Sequence, residues 1–227
     1  MRAGPNGQGR SERSEPIRAV SRSGSAPADS GGFGTRWSVP YIAHLSASSD
    51  SRQRPGSPPA SLERMHETYE MRAIAPEALE LLRTTDDAGR PPRLVVEGEE
   101  GGSPLRCCLG RSRPHETIAL VSYAPLRRWS AETGATPGPY DEIGPVFIHP
   151  EGCDGWTGPG VADGIRGERR VLRAYSAEGH ILGGLLLNGG EPTIEAGLAE
   201  LYRDPRVAAV HVRAVEFGCF LAETRRV

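Results

Sequence analysis

The apolar residues of this chain come in short runs. The longest strongly apolar one is Ile181–Leu187 (ILGGLLL), far below the ~18–20 residues that a membrane-spanning helix needs. The others are Arg93–Glu97 (RLVVE), Thr117–Tyr123 (TIALVSY), Pro145–His149 (PVFIH), Val207–Val215 (VAAVHVRAV) and Phe217–Thr224 (FGCFLAET). They are rich in β-branched and aromatic residues and bounded by Gly, Pro, Asp and Ser, which is how strands and their turns read. Glu67–Ile74 is a weaker opening strand. Arg170–Tyr175 and His180–Leu187 flank Ser176–Gly179 and read as a hairpin. Two segments have helical periodicity instead. Pro76–Arg83 begins with a proline suited to a first helical position and sets Leu79, Leu81 and Leu82 on its apolar side. In Thr193–Arg203, residues Ile194, Leu198, Leu201 and Tyr202 recur at i, i+4, i+7 and i+8, Thr193 is placed as N-cap, and Asp204-Pro205 stops the helix. The expected fold is α+β: a single domain with a largely antiparallel, twisted sheet and two or three helices.

That domain does not use the whole chain. Residues 1–60 contain 12 Ser, 8 Gly and 7 Pro, with 8 Arg against 4 acidic residues. Such a composition cannot bury enough apolar surface to offset its ordering entropy. The reading is a disordered extension over 1–64 and one domain over 65–227, with Met65 and Met71 as alternative starts. An organellar transit peptide would share the Arg/Ser bias, but no amphipathic helix accompanies it. A secretory leader would need an apolar core, which the opening residues lack. A cytoplasmic location is expected.

Charge narrows the partners. The chain carries 27 basic and 29 acidic residues, and the acidic excess lies wholly beyond residue 60, since the stretch before it is net basic. Neither a nucleic acid nor a membrane surface is an expected partner. All 27 basic residues are arginine. Without lysine there is no phosphate-binding Walker lysine and no Schiff-base chemistry. No H-E-x-x-H, G-x-S-x-G or dinucleotide-binding glycine motif is present either. No cofactor is assigned.

Strand alternation places particular residues together. His211 and Arg213 share one face of their strand, and Val171, Arg173 and Tyr175 share a face of theirs. Arg106 stands in the apolar run Pro104–Leu109. An arginine inside an apolar stretch needs a carboxylate, backbone carbonyls or a bound anion. If the faces converge, Arg106, Arg173 and Arg213 would hold a small anionic ligand, with Tyr175 and His211 orienting it. Otherwise each arginine pairs with a nearby acid such as Asp141, Glu142 or Glu216.

Four cysteines in a chain this long do not make a disulfide framework. Read as a strand, Cys107 and Cys108 point to opposite faces and do not easily serve one site, so they read as buried small apolar groups. His149, Cys153, His211 and Cys219 are the alternative as a metal set, for zinc or iron. A further alternative is an enzyme: Cys219 as nucleophile with His211 as its base, and Pro150–Gly167 as a lid.

The order of several short motifs resembles a bacterial family, domain of unknown function 1203, over about residues 71–227. They are Pro104, Arg106 and Leu109; Tyr140 with Gly144-Pro145-Val146-Phe147; Arg170, Arg173, Ala174 and Tyr175; Val210-His211-Val212-Arg213; and Gly218-Cys219-Phe220. Many members look like Pro-Cys-Arg where this chain has Pro104-Leu105-Arg106. The double cysteine, His149 and Cys153 resemble an actinobacterial-type variant. The resemblance implies a domain boundary and no activity. The leading expectation is therefore an anion-binding domain, with the Cys219/His211 enzyme and a structural or protein-interaction domain as alternatives.

Overall fold

The computed structural model describes residues 68–167 and 169–227. The extension expected over 1–64 lies outside them. Strands β1 (Tyr69–Arg72), β2 (Arg93–Val96), β3 (Thr117–Tyr123), β4 (Gly144–Ile148), β5 (Arg170–Tyr175), β6 (Ile181–Leu187), β7 (Ala209–Ala214) and β8 (Phe220–Arg226) are joined by helices α1 (Pro76–Leu82), α2 (Pro125–Thr133) and α3 (Ile194–Tyr202). The class is α+β with antiparallel pairing, as expected, but the strands divide into two sheets. One has the order β1-β8-β7-β5-β6 and the other β2-β3-β4. Periodicity marks a strand without naming its partner, so the division was not readable from the runs themselves.

The five-stranded sheet is covered on both faces. On one, Leu172, Ala174, Val210, Val212 and Ala222 pack with Ile194, Leu198 and Tyr202 of α3. Thr193 caps α3 by accepting a hydrogen bond from the backbone N–H of Ala196. The helix lies so close that a Cβ at Gly197 would stand 2.7 Å from Leu172 Cδ1. On the other face, Tyr175 and Ala209 pack against Leu126 and Trp129 of α2. A further core, with Leu82, Leu105, Cys107, Ile118, Val121 and Ile148, joins the three-stranded sheet to α1 and reaches Phe220 of β8.

Three local expectations change. Helix α2 is a third helix beside the two whose periodicity was visible in the sequence. Its own signals are Pro125 at the first turn and Gly134 at φ 76°, where the left-handed conformation closes the helix. In α1, Leu79 and Leu82 are buried, whereas Leu81 faces solvent. The third change bears directly on function. Cys107 and Cys108 are in a turn, not a strand. Leu105 N–H donates to the Gly110 carbonyl across it, and Leu109 adopts φ 56°. Strand alternation does not apply there, so both thiols can turn to one side.

Among the described residues, no helix is long and apolar enough to cross a membrane.

Candidate functional site

The register of β5 and β7 sets Arg173 directly opposite His211, with Val171 opposite Arg213 and Tyr175 opposite Ala209. Paired residues of antiparallel strands share a face, so Arg173, Tyr175, His211 and Arg213 stand together on the α2 side of the five-stranded sheet. Both guanidinium groups reach the same carboxylate. Arg173 Nη1 lies 2.8 Å from Glu142 Oε1, and Arg213 Nη1 hydrogen-bonds to that same oxygen. Glu142 comes from the segment between a one-turn 3-10 helix and β4, and its side chain is 41% exposed. Arg213 also donates from Nε to the Gly218 carbonyl. The Tyr175 hydroxyl is buried beside Arg173 without an aligned hydrogen-bond partner. Burial raises its pKa, and the arginine works against that rise.

His211 is fully buried. It packs between Tyr175, at 4.5 Å between ring centroids, and Phe220, at 5.1 Å. Its Nε2 lies 3.1 Å from Glu223 Oε2, and its Nδ1 has no hydrogen-bond partner. Burial holds its pKa below the usual histidine value, with Glu223 opposing and Arg213 and Arg173 reinforcing. The neutral ring therefore donates from Nε2 to an ionised Glu223.

The other expected partners lie elsewhere. Arg106 is buried and donates from Nε to the Phe220 carbonyl and from Nη1 to that of Pro104. Desolvation brings its pKa down to about 10. Cys219 sits in the β7–β8 connection, its thiol directed at the Phe217 carbonyl 3.7 Å away. Its own carbonyl accepts from Ala214 N–H, three positions along β7 from His211, or roughly 10 Å at strand spacing. His211 is thus committed to Glu223 rather than to Cys219. The loop 150–167 does not close over the arginines either. Val161, Ala162 and Ile165 are buried in the core on the α3 side, and Arg170 donates to the Ile165 and Arg166 carbonyls.

A second cluster gathers residues from three places: Cys107 and Cys108 from the turn, His149 from the end of β4, and Cys153 from the start of the loop. One ligand atom from each lies within 4.8 Å of all the others. The expected set of His149, Cys153, His211 and Cys219 is thus corrected. His149 and Cys153 belong together, and their companions are the adjacent cysteines. The strand reading of Arg106–Leu109 hid this.

The described residues thus form an α+β fold with two antiparallel sheets, two arginines converging on one carboxylate, and a separate thiol–imidazole cluster. The sequence matches the family model described as protein of unknown function (DUF1203) over residues 102–226, and the chain belongs to that family. The matched region holds every residue of both clusters. No curated protein and no solved structure matches the chain.

Proposed function

We propose that this domain binds a small anionic ligand, with a carboxylate as its recognised group, between Arg173 and Arg213. The observation that carries the reading is the pair of guanidinium groups held on one oxygen of a half-exposed loop carboxylate. Two positive charges facing one negative charge leave a positive excess. Two nearby acids are engaged elsewhere: Glu223 with His211 and Arg225, and Asp141 with Arg127. Glu142 then acts as an internal occupant that an incoming carboxylate displaces. Fork-shaped guanidinium donors suit that group, and the Tyr175 hydroxyl, buried beside Arg173, supplies a further donor.

The test is calorimetric titration of the full chain and its variants with acetate, citrate and inorganic phosphate. Glu142→Ala should tighten binding of acetate or citrate. Arg173→Ala should abolish that binding while moving Tm little, because a half-exposed ion pair contributes about 0–1 kcal/mol. If Glu142→Ala binds none of the anions, the reading is wrong. A large fall in Tm for Arg173→Ala would instead favour arginines that serve only to hold the fold.

A further inference from the structure

We infer that Cys107, Cys108, His149 and Cys153 form a closed zinc site with three thiolates and one imidazole, on geometry that is independent of the anion reading. Tetrahedral zinc takes sulfur at ~2.3 Å and nitrogen at ~2.0–2.1 Å, so its ligand atoms must stand about 3.5–3.8 Å from one another. The cluster spans that requirement. Cys107 Sγ is 3.2 Å and Cys108 Sγ 4.0 Å from His149 Nδ1, and no pair exceeds 4.8 Å. Shifts of a few tenths of an ångström to about 1 Å at side-chain ends would close it around an ion.

The surroundings suit a metal centre formed by one buried and two half-buried thiols. His149 Nε2 lies 3.3 Å from Glu116 Oε1. A carboxylate there accepts a hydrogen bond from Nε2–H, which fixes the ring and leaves the Nδ1 lone pair toward the sulfurs; metal-bound histidines are oriented in this way. Cys107 Sγ also faces a backbone donor that would stabilise thiolate charge, the His149 N–H 3.2 Å away. Arg83 donates from Nε to the His149 carbonyl, holding the backbone of that ligand. Cys107 and Cys153 line a groove of about 490 Å³ between the β1–α1 segment and the loop 152–157, which gives an ion a way in.

Thiolate-rich tetrahedral sites favour zinc among the common divalent ions, and four protein ligands mark a structural site rather than one with an open catalytic position. This centre would tie three segments that are distant in sequence: the 105–110 turn, the end of β4 and the Gly-rich loop.

The experiment uses the full chain purified without chelator. Elemental analysis should find stoichiometric zinc. After removal of the metal under reducing conditions, cobalt(II) should give the visible ligand-field bands of a tetrahedral site and thiolate-to-cobalt charge transfer. Cys153→Ser and His149→Ala should each lose the bound zinc and alter the cobalt spectrum, whereas Cys219→Ser should leave both unchanged. Glu116→Gln should weaken zinc binding by about 10- to 100-fold; it removes no ligand, so it tests the assignment even where a ligand variant fails to fold. Reduced chain that takes up no cobalt, or a cobalt spectrum identical in wild type and in folded Cys153→Ser, would overturn the site.

Discussion

Lowering the pH should loosen this fold first at His211. In the folded chain its ring is fully buried between Tyr175 and Phe220 and held neutral, chiefly by burial, with Arg213 and Arg173 adding to the effect. Its folded pKa is therefore below the value of about 6.5 that it regains on unfolding. The unfolded chain binds the proton first. The stability linked to a neutral His211 is thus present above about pH 6.5 and declines as the pH falls below it. The slope for one proton approaches 1.4 kcal/mol per pH unit at most. Glu223 adds a second step. Burial works to raise its pKa, but His211 and Arg225 together outweigh burial and keep it low. Its contribution is present above about 4.5, its unfolded range, and is lost on further acidification. Urea unfolding between about pH 7.5 and 5.5 should register a loss on the order of 1 kcal/mol from His211 alone, a measurable part of a total near 5–15 kcal/mol. His211→Gln keeps an amide donor for Glu223 and does not titrate, so that slope should vanish while the lower step remains. Equal slopes in wild type and His211→Gln, or a flat wild-type profile, would refute the assignment of a buried neutral histidine.

Other perturbations probe the frame that holds the two sites. Arg106→Met strips hydrogen bonds from the Phe220 and Pro104 carbonyls and should cost about 1–3 kcal/mol in chemical denaturation; a more stable variant would show that desolvating the guanidinium outweighs its bonds. Thr193→Ala removes the side-chain cap of α3 and should lower stability by about 1 kcal/mol, an effect that Thr193→Ser should largely avoid. Gly197→Val pushes a branched side chain into Leu172 and Leu187, where overpacking of about 1–3 kcal/mol should exceed any gain from replacing glycine within a helix. A raised Tm for that variant would mean that α3 can move off the sheet without loss.

Most strands were legible because their alternating or continuous apolar runs answer directly to burial on one or both faces. Thr117–Tyr123 matches its strand end to end, and the cap at Thr193 could be named from residue type alone. Alternation also grouped Arg173 with Tyr175 and His211 with Arg213, since a side chain's face depends only on parity along a strand. Their meeting depended on which strands pair and in what register, and no local pattern encodes that. Glu142 could be offered only as one acid among several. Helix α2 was missed because its buried stripe is little more than Leu126 and Trp129 among polar residues, although Pro125 and Gly134 frame it. The thiol cluster was missed for a sharper reason. Cys107 and Cys108 were assigned strand geometry inside an apolar run, whereas Leu109 at positive φ and the Leu105–Gly110 hydrogen bond fold that run back on itself. Gly110 was the available signal of a turn.

The two clusters belong to different cores, yet one residue links them. Arg106 immediately precedes the cysteine pair, and its guanidinium holds the carbonyl of Phe220, the residue that β8 sets opposite Arg213. Ile74 N–H donates to the Arg106 carbonyl, and Arg106 N–H donates to that of Phe147, so the backbone of this one residue is fixed from the β1–α1 segment and from β4. Beyond the carbonyls that it satisfies, Arg106 has a geometric role set by its position. It sets the turn that presents both thiols to His149 against the strand that carries the neighbour of Arg213. A departure of the 105–110 turn from its place would therefore displace a contact of β8 beside Arg213, even though no cysteine touches Glu142.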